Sequence, residues 1–449
     1  MKKMVASLLI LFILVVQITP VYANVPSPPE IVGPTAVLMD YTTGQVLYDK
    51  NMHKRMYPAS TTKILTAIIA IEKGNLNDIV TASDNVTKID GNSIFLSPGE
   101  QLTLEQLLYA IMLESANDAA IAIAEHIGGS VENFAKMMNE KAKEIGAYNS
   151  HFVNPNGLPD DNHYSTPYDM ALIARYAMQN PEFRKIVTTI HYQIPPTNKF
   201  DKVRDLWLSN RLIKPSSFRY EGADGVKTGY TVAAGQVLAA SATRDGRRLI
   251  SVIMGDQGTN IWTDTIKLLD YGFQNFSLVK KTEKGEVVTY IDLGKSHFKL
   301  PLIAKEDFYY EVPKGQENSI ETQIILNKDI KTPINKGDVL GYIKYTLDGN
   351  EIGTNPLIAA ESVYKNFWGN YYTEVQSSGV KNTMYTNPVK FIAGTTILGI
   401  AFILWRRRKI RNRKKYIFSK YWFKKRAECP LFMHIFGCHW DFYFFPCPL

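Results

Sequence analysis

Residues Gly235–Met254 read GQVLAASATRDGRRLISVIM. Two apolar runs, Gly235–Thr243 and Arg247–Met254, flank Asp245-Gly246, a pair that suits the positive φ angles of a two-residue hairpin turn. Near the other end of the chain, Thr35–Asp40 and Gln45–Asp49 are a second strand pair joined through Thr42-Thr43-Gly44. Between these pairs the apolar period lengthens to that of helices. Ser60–Lys73 follows Pro58 and stops at Gly74, and Thr103–Leu113 carries a capping box in Thr103 and Gln106. A third helix starts near Asn117 and runs to Gly128-Gly129, a fourth spans Val131–Ile145 and a fifth Thr166–Met178. Thr263–Phe273 returns to helical spacing after the last strand pair. Strand pairs around a helical insert predict an α+β fold, an antiparallel sheet flanked by helices with a helical lobe, not a doubly wound sheet.

The ends differ from this body. Residues 1–23 have the form of a signal peptide: Lys2 and Lys3, the apolar core Leu8–Val16, and small residues for cleavage at Val21-Tyr22-Ala23. A retained N-terminal anchor is the alternative. Residues 24–277 are expected to form the first globular domain. Beyond it short strands dominate, among them Glu286–Leu293, Thr322–Leu326 and Gly341–Leu347, so 278–375 is expected to be a small all-β domain. Residues 376–388 look like a polar stalk. The apolar stretch Phe391–Trp405 runs straight into Arg406-Arg407-Arg408-Lys409, which gives residues 389–405 the character of a C-terminal membrane helix. Fifteen helical residues span about 22 Å, shorter than a bilayer core, and Lys390 and Arg406 can snorkel across the difference. A buried helix is the alternative. On this reading residues 406–449 are a basic cytoplasmic tail, and the body of the protein lies outside the cell membrane as an exported, single-pass domain.

The net charge of +8 belongs to that tail. Arg406–Arg426 holds twelve Lys and Arg and no acid, which leaves the exported body mildly acidic and gives no footprint for nucleic acid. Cys429, Cys438 and Cys447 all lie beyond residue 405, so the body has no disulfide. Cys438 and His439 make no paired zinc knuckle, and no metal or organic cofactor is implied.

Three short motifs carry chemistry: Ser60-Thr61-Thr62-Lys63, Ser115-Ala116-Asn117 and Lys227-Thr228-Gly229. The Ser-x-x-Lys spacing alone is weak, since it recurs at Ser277, Ser296, Ser362 and Ser378. Ser60 stands apart because it lies where an extended segment meets a helix, with Lys63 on the same face and a helix N-terminus beneath. A serine hydroxyl needs a base within hydrogen-bond reach, and a lysine serves when burial or a nearby cation keeps it neutral. Ser83-Asp84-Asn85 is the rival of the second motif. Ser115 is preferred because it sits at a break between two helices, where a hydroxyl and an amide can face a cleft; an ordinary helix cap is the alternative. On a strand, Lys227 and Gly229 share one face and Thr228 the other, which gives a cation, a hydroxyl and a bare backbone edge for a carboxylate.

Together the three motifs pair as they do in serine β-lactamases and penicillin-binding proteins. From about Ala36 to Tyr372 the chain resembles the D-alanyl-D-alanine carboxypeptidases, the low-molecular-mass penicillin-binding proteins. Further similar stretches are Phe152–Leu158, Tyr164-Ser165-Thr166, Ser209-Asn210-Arg211-Leu212 and Lys336–Leu347. The resemblance implies a β-lactamase/transpeptidase-like fold followed by a β-sandwich, and a Ser60 acyl-enzyme. In it Lys63 is the general base, Ser115 a proton relay and Asn117 an orienting amide. Lys227, Thr228 and Gly229 bind the terminal carboxylate, and the backbone N–H groups of Ser60 and Tyr230 form the oxyanion hole. The implied partners are peptidoglycan stem peptides, with β-lactam antibiotics as inhibitors. The family often has an arginine after the strand that ends at Met254-Gly255, and Asp256–Asp264 contains none. Two rivals remain on sequence: a class A-like β-lactamase, for which Glu182 and Glu221 are the available acids, and a catalytically silent wall-binding protein.

Overall fold

The computed structural model describes residues 27–293, 299–365 and 371–373. Strands Thr35–Asp40, Val46–Lys50, Ala223–Thr231, Gly235–Arg244 and Arg247–Asp256 form one antiparallel sheet. Val46–Lys50 lies at one edge and Ala223–Thr231 at the other, with Arg247–Asp256 in the centre. The two-residue side-chain period divides these strands between two cores. Ala36, Leu38, Leu238, Ala240, Leu249 and Ile253 pack with the helix Asn260–Asn275. Their neighbours Val37, Met39, Val237, Ala239, Ile250 and Val252 face the helical lobe. A sheet covered on both faces accounts for apolar runs in place of alternation.

The lobe contains Lys63–Lys73, Asn117–Gly128, Val131–Ile145, Pro167–Ala177 and Pro181–Thr188. Its helices start where side chains satisfy the free N–H groups. Thr103 and Gln106 form the expected capping box, Ser130 accepts from Asn133 N, and Thr166 accepts from Asp169 N. The structure corrects several boundaries. Ser60 does not open the α-helix; it lies in a 3-10 turn, Ala59–Thr62, and the α-helix begins at Lys63. The helix that starts at Leu104 leaves α geometry after Tyr109 and widens into a π-turn, Ala110–Glu114. The last helix begins at Asn260 instead of Thr263. Pro181–Thr188 is capped by Asn180, and eight residues were too few to stand out as a period.

The β domain pairs Phe276–Thr282 with Phe308–Pro313 and builds a five-stranded sheet. Across that sheet the strands run Val287–Asp292, Lys299–Ala304, Asn350–Ala359, Val339–Leu347 and Glu321–Leu326. A buried polar group links its core, with the hydroxyls of Thr282 and Tyr345 2.6 Å apart and Asn355 Nδ2 donating to Thr282 Oγ1. Sequence reading found no such cluster, because Thr282 lies more than sixty residues from its two partners. The described residues fall in the compact unit that ends at Glu374. No helix among them is long and apolar enough to cross a membrane. Residues 1–23, the stalk, the apolar stretch and the basic tail lie outside the described residues.

Gly272 lies within the Asn260–Asn275 helix, where alanine is ordinarily the better residue. Here a Cβ would sit 2.5 Å from Leu249 Cδ1 and 2.7 Å from Leu38 Cδ2, both buried. Gly272→Ala is therefore expected to destabilise by roughly 1–3 kcal/mol, seen as a lower thermal midpoint, against the intrinsic helix preference.

Candidate active site

The site forms where the edge strand Ala223–Thr231 meets the turn that carries Ser60. A Cβ on Gly229 would stand 2.9 Å from Ser60 N and 3.2 Å from Thr61 N, so only glycine lets the strand come this close. On the other side, a Cβ on Gly157 would collide with the Ala59 carbonyl, and its φ of +88° is one that glycine adopts freely. The turn is thus held between two glycines from distant parts of the chain.

Lys63 projects from the first turn of its helix into this junction and is fully buried. Its Nζ lies 3.1 Å from Ser60 Oγ, 2.8 Å from Asn117 Oδ1 and 2.6 Å from the Asn156 carbonyl. Three acceptors match the three N–H bonds of an ammonium. They also match a neutral amine, which donates to the two carbonyl oxygens and turns its lone pair to the Ser60 hydroxyl. Burial, followed by the charge of Lys227, holds the Lys63 amine well below the usual lysine range, although Asp118 opposes this. Both causes favour the neutral form.

The π-turn ends at Ser115, whose φ of +63° reverses the chain before the Asn117 helix. Ser115 lines the cleft beside Asn117. The Asn117 amide is fixed at both ends, since Oδ1 accepts from Lys63 and Nδ2 donates to the Asp90 carbonyl at 2.6 Å. Ser83 is elsewhere, donating to Glu125 Oε2 at 2.6 Å and capping its 3-10 turn by accepting from Asn85 N. Among the other Ser-x-x-Lys positions, Ser277 bonds Glu317 and Ser362 accepts from Lys336 N; Ser296 and Ser378 lie outside the described residues.

Lys227 is 1% exposed, and its Nζ donates to the Thr228 carbonyl at 2.9 Å. Burial pushes this amine down to about 7, with Glu114 pulling it back up. The Thr228 hydroxyl lies 2.8 Å from the Ser209 hydroxyl. A cleft of about 370 Å3 opens above these groups; Ser60, Ser115, Asn117, Thr228, Gly229 and Tyr230 all line it. The structure thus brings the residues of all three motifs to one place. Among the lining residues that sequence reasoning did not assign are Asn156, Ser209, Gln236 and Trp262. The first two lie in the stretches noted for their resemblance, Phe152–Leu158 and Ser209–Leu212. Gln236 and Trp262 carried no signal, because each arrives through packing of the sheet and the Asn260–Asn275 helix.

The family model described as D-alanyl-D-alanine carboxypeptidase matches residues 22–258. The chain belongs to the D-alanyl-D-alanine carboxypeptidase family. A second model, the C-terminal domain of penicillin-binding protein 5, matches residues 276–365. The chain is 37% identical over 340 residues to the D-alanyl-D-alanine carboxypeptidase DacF of Bacillus subtilis, covering 74% of this chain and 86% of that one. The solved penicillin binding protein 5 from Haemophilus influenzae is similar with a TM-score of 0.67 at 33% identity, covering 76% of this chain and 99% of that one. The Streptomyces K15 DD-transpeptidase is similar with a TM-score of 0.52 at 32% identity, over 55% of this chain and 99% of that one.

In this carboxypeptidase no Asp or Glu is among the described residues that line the cleft. Glu182 pairs instead with Lys185 on the surface, and the Glu221 carbonyl accepts from Arg244. Behind the Ser60 turn, His163 Nδ1 accepts from Val153 N and its Nε2 lies 2.9 Å from Thr62 Oγ1. That pattern requires the neutral ring with the proton on Nε2. Burial depresses the imidazole to about 4. The unfolded chain therefore binds a proton here that the folded chain refuses between about 6.5 and about 4. Stability from this group is complete above the unfolded value and is lost as pH falls through that window. Histidine NMR is expected to show His163 titrating near 4; a midpoint near 6.5 would contradict the assigned tautomer.

Proposed function

We propose that this serine-type D-alanyl-D-alanine carboxypeptidase removes the terminal D-alanine of peptidoglycan stem peptides through an acyl-enzyme on Ser60. The observation that carries the reading is the buried Lys63 amine 3.1 Å from the Ser60 hydroxyl, inside the cleft. Ser60 Oγ attacks the carbonyl carbon of the penultimate D-alanine while its proton passes to neutral Lys63. Oxyanion charge forms against the N–H groups of Ser60 and Tyr230, in the gap that Gly229 keeps open. The C–N bond breaks as the amine of the leaving D-alanine takes a proton relayed through Ser115. Water then attacks the ester carbonyl as its proton passes to the Lys63 amine, and that proton moves on to Ser60 Oγ as the ester C–O bond breaks and frees the shortened peptide. Lys227 and the hydroxyls of Thr228 and Ser209 hold the terminal carboxylate, and Asn117 keeps Lys63 in place.

β-Lactam antibiotics carry an amide and a carboxylate that fit the same groups and acylate Ser60. The cleft lining offers no carboxylate to activate a deacylating water, which favours this reading over a class A-like β-lactamase. We also propose export and tethering. Residues 1–23 would direct secretion, and residues 389–405 would anchor the enzyme in the cell membrane, with the basic tail inside and the catalytic domain outside.

After incubation with benzylpenicillin, mass spectrometry is expected to find one stable adduct on the peptide that bears Ser60. Ser60→Ala should lose both the adduct and D-alanine release. Rapid loss of drug without an adduct would instead indicate a lactamase.

The two amines set opposite pH limbs. Lys63 must lose its proton to act, so kcat/KM falls as pH is lowered through its depressed range. Lys227 must keep its proton to bind a carboxylate. KM for D-alanyl-D-alanine peptides is therefore expected to rise as pH passes about 7, and Lys227→Arg should move that limb to higher pH.

A further inference from the structure

The outward face of the five-stranded sheet in the β domain carries a plate of uncharged side chains. The registers Val287↔Ile303, Ile303↔Ile358 and Val339↔Ile358 set four aliphatic residues in one row across four strands. Tyr342, opposite Pro356, and Tyr290, opposite Pro301, extend the same face. Their strand neighbours Ile291, Leu302, Ile343 and Leu357 point the other way, into the domain core. Since side chains alternate between faces, the plate cannot join that core. Val287 is 47% exposed, Val339 49%, Tyr290 58% and Tyr342 41%. Charge occurs at its margins, where Lys299 stands opposite Asp292 and Lys344 pairs with Glu351.

A contiguous apolar face of this kind marks a surface with a partner. The path of the chain says which. Beyond Thr373, the seventeen residues Glu374–Lys390 lead to the apolar stretch Phe391–Trp405. Seventeen residues span at most about 60 Å even when fully extended, which sets an upper limit on how far the β domain can be from whatever holds that stretch. An aliphatic centre with tyrosines beside it, and charge confined to the margin in the pairs Lys299 with Asp292 and Lys344 with Glu351, is a composition that suits the boundary of headgroups and acyl chains.

We propose that this face of the β domain lies on the lipid surface, with the Val287–Ile303–Ile358–Val339 row at the headgroup boundary. The inference rests on the membrane anchoring proposed above. It gives the β domain a task that a passive spacer does not have, which is to dock the enzyme on the bilayer at a second place.

The exported part has no cysteine, so labels can be placed singly in the full chain once Cys429, Cys438 and Cys447 are changed to serine. Spin labels at Val339→Cys and Val287→Cys, with Tyr148→Cys on the exposed surface of the catalytic domain as control, would be read in phosphatidylglycerol–phosphatidylethanolamine vesicles. Benzylpenicillin acylation of each labelled protein reports that it is folded. The expected result is a ratio of oxygen to nickel-chelate collision rates several-fold higher at both plate positions than at Tyr148. Equal ratios at all three positions, in protein that floats with the vesicles, would overturn the proposal while leaving the anchor intact. Dipolar broadening that persists on dilution with lipid would overturn it in favour of a second copy of this chain. A full chain that does not float at all would overturn the anchor, and the docking with it.

Discussion

The arrangement depends on one buried amine. Lys63 has no access to water, and its nitrogen is held by oxygens from three separate segments: the Ser60 turn, the start of the Asn117 helix and the Asn156 loop. An amine in such a place stays only if each acceptor is in position, since an unpaired polar group without water costs about 1–3 kcal/mol. The same contacts that satisfy it therefore fix the relative positions of the helices that meet there. Thr66 extends the tie by donating to the Pro155 carbonyl one turn further along.

A second buried amine makes the first one useful. Lys227 enters from the edge strand, and after burial its charge is what lowers the Lys63 amine. Two buried lysines thus lie near each other, and burial holds both amines below the usual lysine range. Asp256–Asp264 contains no arginine; the Ser209 and Thr228 hydroxyls line the described cleft, and the buried Lys227 amine donates to the Thr228 carbonyl beside them.

A comparable buried cluster joins the β domain to the sheet. Gln45 and the backbone of Glu311 exchange hydrogen bonds, and Arg247 donates to the Glu311 carboxylate. Burial, with Asp40 nearby, raises Glu311 to about 8 even with the guanidinium beside it. Such specific pairing makes the β domain a fixed neighbour of the hairpin Thr35–Lys50.

The sequence by itself determined the α+β class, the two strand pairs, the capped helices and the three motifs, because each rests on residues close together in the chain. Turn chemistry at Asp245-Gly246, a capping box at Thr103 and Gln106, and the i to i+3 spacing of Ser60 and Lys63 are all local. Context along the chain was also enough to prefer Ser115 to Ser83. What only the tertiary structure decided is what comes together from afar. That includes the 3-10 turn at Ser60, pressed between Gly157 and Gly229, and the π-turn that aims Ser115. It includes the third acceptor for Lys63 at Asn156 and the arrival of Gln236 and Trp262 at the cleft. Those features arise from close packing between segments up to two hundred residues apart. Periodicity and propensity carry no information about such contacts, because they report each residue's neighbours in the chain and not its neighbours in space.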